Sequence, residues 1–188
     1  MKTNFKGLMF VLLFVAGTAL LFQNLQSSKP NLTTEANANN NFSVKRISGL
    51  PELKNESDTI VEIVGTDKYK VIDYKGAQSI ITTVKVLSVI KGDKNLKEAK
   101  IIQLYGEMTP KNGEKLLMFL RKGIDNPDCY VPIGSGQGIY KIVQSKTKDN
   151  SSNNSLNNMI LEPQSMVNDD ILKDLTGDYE NIKKKLSE

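Results

Sequence analysis

Short apolar runs, each bounded by turn residues, fill the chain between residues 57 and 146 and are typical of β-strands. The predicted strands are 59–64 with its continuation 69–72, then 80–90, 101–105 and 116–120, with 130–133 and 139–143 closing the set. Along 80–90 the apolar alternation slips by one residue at Leu87, which predicts a β-bulge. Leu116–Leu120 is apolar at every position and predicts the most buried strand.

Five or six short strands in about ninety residues, with no helical period between them, predict a mainly β fold. The expected architecture is a small closed or partly open OB-like barrel over residues 57–146, because closure removes exposed sheet edges.

Residues 165–188 carry a different period and predict an amphipathic C-terminal helix. Its apolar residues recur at intervals of three and four: Leu172, Leu175, Tyr179, Ile182 and Leu186. Gly177 is expected to divide the helix into two pieces. Two alternatives remain open: the apolar stripe packs on the barrel, or it docks on a partner protein or a second copy of the chain.

The first 26 residues resemble an export segment, because Lys2 and Lys6 precede an uncharged apolar run at 8–22. As a helix this run spans about 22 Å, short of the ~30 Å hydrocarbon core, which favours a cleaved signal peptide. No good small-x-small cleavage site follows, so an uncleaved membrane anchor is the other alternative. Either one predicts an extracytoplasmic protein, secreted or held at the membrane by residues 8–22.

Two polar stretches flank the predicted barrel. Residues 27–56 are expected to be an Asn/Ser-rich linker and lead-in, whose last apolar positions form a short helix or an extended lid. Residues 147–164 are expected to be a polar linker before the C-terminal helix.

The 188-residue chain contains no histidine, which excludes Ser-His-Asp and Cys-His catalysis and His-ligated zinc. Its one cysteine, Cys129, has no internal disulfide partner. Lack of disulfides outside the cytoplasm, with a composition rich in Lys, Asn and Ile, favours a bacterium with a single membrane. The net charge is +4, but the lysines are spread over turns without interleaved aromatic residues, so no nucleic-acid partner is expected. No metal or cofactor is predicted.

The glycine-rich stretch 134–138 is the main candidate for a binding loop. It is followed by a strand rather than a helix, which argues against a phosphate-binding loop and favours a hairpin or bulge. If it binds a ligand, the predicted contacts are hydrogen bonds from Ser135 and Gln137 and ring faces from Tyr130 and Tyr140.

Three stretches carry a family resemblance: 57–65 with its Ser-Asp start, 82–93 ending in Lys-Gly-Asp, and the Gly-Glu-led strand 113–121. Together they resemble uncharacterised extracytoplasmic domains of Gram-positive bacteria. More distantly, they are similar to the OB-like barrel of netrin modules and tissue inhibitors of metalloproteinases. The resemblance implies a five-stranded barrel with a terminal helix. It does not imply metalloproteinase inhibition, because those inhibitors chelate zinc through an N-terminal cysteine and this chain has none before Cys129.

The function expected from these features is a non-catalytic binding or interaction module at the bacterial cell surface. Its partner is expected to be an envelope protein or a cell-wall ligand, which the sequence does not identify. One alternative is an envelope hydrolase or transferase that uses carboxylates or Cys129, although Asp128 opposes formation of the thiolate. Another is an assembly subunit that docks through the C-terminal helix.

Overall fold

The computed structural model describes residues 45–74, 76–145 and 159–188. The predicted export segment 1–26, with its apolar run 8–22, and the linker up to residue 44 lie outside the described residues. Within the described ranges the helices are α1 (Leu50–Glu56), α2 (Asp169–Asp174) and α3 (Tyr179–Ser187). The strands are β1 (Thr59–Val64), β2 (Tyr69–Tyr74), β3 (Ala77–Lys91), β4 (Glu98–Leu104), β5 (Lys115–Lys122), β6 (Tyr130–Pro132), β7 (Ile139–Gln144) and β8 (Met159–Pro163).

Five strands close into a barrel in the order β1-β3-β4-β6-β5, which confirms the predicted mainly β fold. The ring closes at β1, which pairs with β3 along one edge and with β5 along the other. Three further strands extend the sheet: β2 pairs with β3, β7 pairs with β5, and β8 pairs with β7.

Two bulges in β3 bend the sheet where it closes. The pairing of β1 with β3 skips Leu87, between partners Val86 and Ser88, and skips Ile90, between partners Val89 and Lys91. An extra residue on one strand increases the local twist and coiling of the pair. The bulge predicted from the alternation at Leu87 is therefore confirmed, and it helps the sheet to close.

Strand β5 is buried on both faces, which explains its continuous apolar run. Leu116, Met118 and Leu120 point into the barrel interior, and Leu117 and Phe119 point toward the helices. All five side chains have 0% exposure, as the sequence predicted for this strand.

The helices form a second core against the outside of the barrel at β1, β5 and β7. Gly177, with φ +117°, separates α2 from α3, so the predicted division of the C-terminal helix is confirmed. The predicted stripe faces this core: Leu175, Tyr179, Ile182 and Leu186 are buried and Leu172 is half-buried. Of the two alternatives for the stripe, packing on the barrel is the one observed.

The short helix that was one alternative for the lead-in is observed as α1, whereas the end of the predicted linker 147–164 is a strand instead. The lead-in places Ile47 and both leucines of α1 in the helix-side core, each no more than 3% exposed. Residues 159–163, at the end of the predicted linker 147–164, form β8 and pair with β7. The strand β8 is short and follows an Asn/Ser-rich stretch, so its few apolar residues were outweighed by the polar composition before them.

Candidate binding site

The four residues predicted to form a ligand-binding loop do not share one surface. Ser135 is exposed at the tip of the loop between β6 and β7, where its φ is +49°. Tyr130 is half-buried on β6 and lines a cleft described below. The other two residues, Gln137 and Tyr140, are buried.

Gln137 holds the loop to the lead-in segment. Its Oε1 accepts from the Ile47 N–H at 3.2 Å, and its Nε2 donates to the carbonyls of Lys45 and Gly134 at 3.3 and 3.0 Å. The oxygen and the nitrogen of the Gln137 side-chain amide both form hydrogen bonds within the chain, so the hydrogen-bonding capacity of this side chain is already used internally. The expectation that Gln137 would offer hydrogen bonds to a ligand is therefore corrected.

Tyr140 belongs to the core between the barrel and the helices. It has 0% exposure, and its ring packs edge-on against Phe119 with centroids 5.9 Å apart. Burial raises the pKa of its hydroxyl above the ordinary tyrosine value. The expectation that Tyr140 would offer a ring face to a ligand is corrected as well, because no ring face reaches solvent.

Cys129 is also unsuited to the chemistry that the sequence left open. Its side chain is 2% exposed and packs with Ile81 and Ile102 on the outer face of β3 and β4. Burial raises the pKa of the thiol, and this outweighs the opposing charges of Lys100 and Lys70. A buried thiol that stays protonated at neutral pH is a poor nucleophile.

A cleft of about 240 Å³ opens beside Tyr130, whose ring also packs against the core inside the barrel. Polar side chains from three parts of the fold line it: Thr83 on β3, Lys100 on β4 and Lys122 at the end of β5. The rest of the lining consists of Leu96, Glu98, Ala99, Pro127, Asp128 and Tyr130. The antiparallel pairing of Thr83 with Lys100 places these two side chains next to each other on the same face.

Two lysines of the β2 region extend this positive surface. The amide of Thr83 donates to the carbonyl of Lys68 at 2.9 Å, and Lys70 pairs with Ile81. Since neighbouring strands are about 4.8 Å apart, Lys68 and Lys100 lie about 10 Å apart on either side of Thr83. We call Lys68, Lys70, Lys100 and Lys122 the lysine face.

The lysine face has an excess of positive charge. All four lysines are exposed, and within the described ranges none of them makes an ion pair. Two of these lysines, Lys100 and Lys122, line the cleft together with two carboxylates, Glu98 and Asp128, so the excess of positive charge comes from Lys68 and Lys70 beside it. The surface is therefore suited to a ligand that brings negative charge.

The sequence did not reveal the lysine face because its members come from three strands and the segment before β2. The nearest signal was the spacing of Lys68 and Lys70, which places two lysines on one side of a strand. Only the register of β3 with β2 and β4 brings Lys100 beside them.

In the described parts of the chain, no group of three or more Asp, Glu or Cys side chains is arranged to hold a metal ion. Searched over the same residues, no helix has the length and apolar character needed to cross a membrane.

Neither a family model, nor a curated protein, nor a solved structure matches this chain. The resemblance to Gram-positive extracytoplasmic domains, netrin modules and metalloproteinase inhibitors therefore stays a prediction.

Proposed function

We propose that this protein is a non-catalytic binding module that acts outside the cytoplasm and engages an anionic partner through the lysine face. The observation that carries the proposal is the group of four exposed lysines, none of which forms an ion pair with another described residue; two of them, Lys100 and Lys122, line the cleft that also contains Tyr130. Unpaired surface charge attracts an oppositely charged partner over about 8 Å at physiological salt.

The other predicted functions have less support. Docking through the C-terminal helix requires an exposed stripe, and four of the five stripe residues are buried. Catalysis through Cys129 requires an accessible thiolate, and burial disfavours it. Catalysis through carboxylates has no particular support from Asp125, in the loop between β5 and β6, because its carboxylate accepts a hydrogen bond from the Tyr74 hydroxyl at 3.1 Å and so has a structural partner.

Binding of defined polyanions tests the proposal. We expect poly-L-glutamate to bind the full chain, as measured by isothermal titration calorimetry, and poly-L-lysine not to bind. The double variant Lys70→Glu/Lys100→Glu should weaken poly-L-glutamate binding at least tenfold. The matched control Lys115→Glu/Lys184→Glu makes the same charge change at two exposed lysines that do not line the cleft and should weaken it less than threefold. Equal losses in both variants would show a general charge effect and overturn the proposal.

Location is tested separately with a reporter that folds only outside the cytoplasm. Alkaline phosphatase fused after residue 44 should be active in bacteria, and deletion of residues 8–22 should abolish that activity. Activity that is independent of residues 8–22 would contradict the extracytoplasmic part of the proposal. The mass of the exported product then distinguishes a cleaved signal peptide from a retained anchor.

A further inference from the structure

Strand β2 lies at an open edge of the sheet, next to the lysine face. It pairs with β3 along one side, and no strand of the described chain pairs with its other side. It is also the most exposed strand: Tyr69 is 66% and Val71 46% exposed, although both are large and apolar. The edge strand at the opposite end of the sheet, β8, is less open than β2, because it ends in Pro163 and is contacted by α3.

The register shows which backbone groups of β2 point outward. The bond from the Thr83 amide to the Lys68 carbonyl makes these two residues a hydrogen-bonded pair. Such pairs alternate along an antiparallel ladder, so Lys70 and Ile72 also direct their N–H and C=O groups toward β3. Tyr69, Val71 and Asp73 therefore direct theirs toward the open edge.

The side chains along this edge differ between the two faces of the sheet. Tyr69 and Val71 share one face with Ile80, which lies opposite Val71 on β3. The other face carries Lys68 and Lys70 of the lysine face. Over residues 68–71, a strand added here would thus meet apolar side chains on one face and positive charges on the other; beyond them, Asp73 continues the first face and Ile72 the second.

We propose that β2 accepts an extended segment of a partner protein as an additional strand, and that this segment alternates acidic with apolar residues. The backbone groups of Tyr69, Val71 and Asp73 bind the segment, as in other cases of β-augmentation. Its acidic side chains face Lys68 and Lys70, and its apolar side chains face Tyr69 and Val71. This inference rests on the proposed function, because it specifies the anionic partner of the lysine face.

A second copy of the chain fits this edge less well than an acidic segment. Antiparallel pairing of two β2 strands keeps equivalent faces on the same side, so the two Lys70 side chains would lie opposite each other or one diagonal step apart. Like charges at that distance are destabilising. The charge pattern of the edge therefore favours a partner of opposite charge.

Amide hydrogen exchange tests strand addition directly. The probe is an eight-residue peptide of alternating glutamate and valine, added in excess to the full chain. We expect the amides of Tyr69, Val71 and Asp73 to become at least tenfold more protected, while those of Lys70 and Ile72 are protected from the start. Unchanged exchange at the first three amides with saturating peptide overturns the inference.

A substitution at Val71 separates the backbone contribution from that of the side chain. Val71→Pro removes one outward N–H and leaves the bonds to β3 intact, and proline is tolerated on edge strands. We expect it to weaken peptide binding at least tenfold, whereas Val71→Ala weakens it less than threefold. Thermal unfolding of both variants checks that the barrel is retained, and equal affinities for folded Val71→Pro and Val71→Ala overturn the inference.

Methylation of the peptide backbone distinguishes failure of strand addition from failure of the proposed function. In an antiparallel arrangement the valine amides face β2, and in a parallel arrangement the glutamate amides do. We expect N-methylation of one set to abolish binding and methylation of the other to preserve it. If both methylated peptides bind as well as the parent, and Lys70→Glu/Lys100→Glu weakens all three, the lysine face binds anions without strand addition. Failure of poly-L-glutamate to bind, by contrast, overturns the proposed function itself.

Discussion

At the scale of single residues, long-range partners decide what a polar side chain does. Gln137 lies in a glycine-rich loop, where the sequence indicated a ligand contact. Its side-chain oxygen instead accepts a hydrogen bond from the backbone N–H of Ile47, ninety positions earlier in the chain. A single sequence carries no signal for a pairing at that separation. Tyr130 was predicted in the same loop site and does line a cleft, because it lies on β6 beside Lys122.

Gln137→Ala should lower the free energy of unfolding by about 1–3 kcal/mol, because it leaves the buried Ile47 amide without its acceptor. Ser135→Ala, two residues away, should change it by less than about 0.5 kcal/mol, since Ser135 is exposed and both residue types carry a Cβ at this φ. Urea unfolding of the two variants measures the difference. A Gln137→Ala variant as stable as wild type would show that the loop and lead-in are held together by other contacts.

Buried tyrosines predict a loss of stability at alkaline pH. Burial raises the pKa of Tyr140 and Tyr179, so the folded state keeps these protons when the unfolded chain loses them. The contribution of the two tyrosines to the free energy of unfolding is fully present below the unfolded tyrosine pKa of about 10 and is lost as pH rises above it. The free energy of unfolding, measured with urea, should therefore fall between pH 9.5 and 11.

The variant Tyr140→Phe should show a shallower fall over this pH range. In the described chain the buried Tyr140 hydroxyl has no hydrogen-bond partner, so its removal should also leave stability at pH 7 unchanged or raised by about 1 kcal/mol. A pH profile as steep as that of wild type would contradict the assignment to Tyr140.

At the scale of elements, local sequence patterns predicted the strands of the barrel and the bulge, whereas the polar composition before β8 led to its prediction as a linker. The Leu116–Leu120 run identified the strand buried on both faces, because no other environment suits five consecutive apolar residues of strand length. The apolar residues of α1 and β8 are few, and their burial depends on the core that they join.

A close approach between β1 and the β4–β5 loop predicts one large element-scale effect. A Cβ on Gly65 would clash with the carbonyl oxygen of Lys111, so the loop must move to accommodate any side chain. Gly65→Ala should therefore lower the unfolding midpoint far more than Gly113→Ala in the same loop. Gly113 has a positive φ but open space around its Cβ position, so alanine there costs only about 1 kcal/mol. Similar midpoints for the two variants would contradict this packing.

At the scale of the whole molecule, both ends of the described chain cover the same side of the barrel. The lead-in and the C-terminal helices share a core with β1, β5 and β7, and no buried residue of that core comes from β2 or β4. Apart from Lys122 at the end of β5, the lysine face and the open edge therefore lie on or beside β2 and β4, which contribute no buried residue to that core. This division could not be read from the sequence, because it depends on which strands become neighbours when the barrel closes.

A substitution in the lead-in should therefore loosen the C-terminal helix. Leu53 has 0% exposure in the core that contains Ile182 and Leu186, so Leu53→Ala should cost about 2–5 kcal/mol of unfolding free energy. Hydrogen exchange should show reduced protection in α3 as well as in α1, because the two helices lose the same packing. Substitution of the exposed Arg46 in the same lead-in, Arg46→Ala, should change the free energy of unfolding by less than about 0.5 kcal/mol and leave both helices as protected as in wild type. Loss of protection confined to α1 would mean that the two ends of the chain are stabilised independently, and the shared core would then contribute little to holding α3 in place.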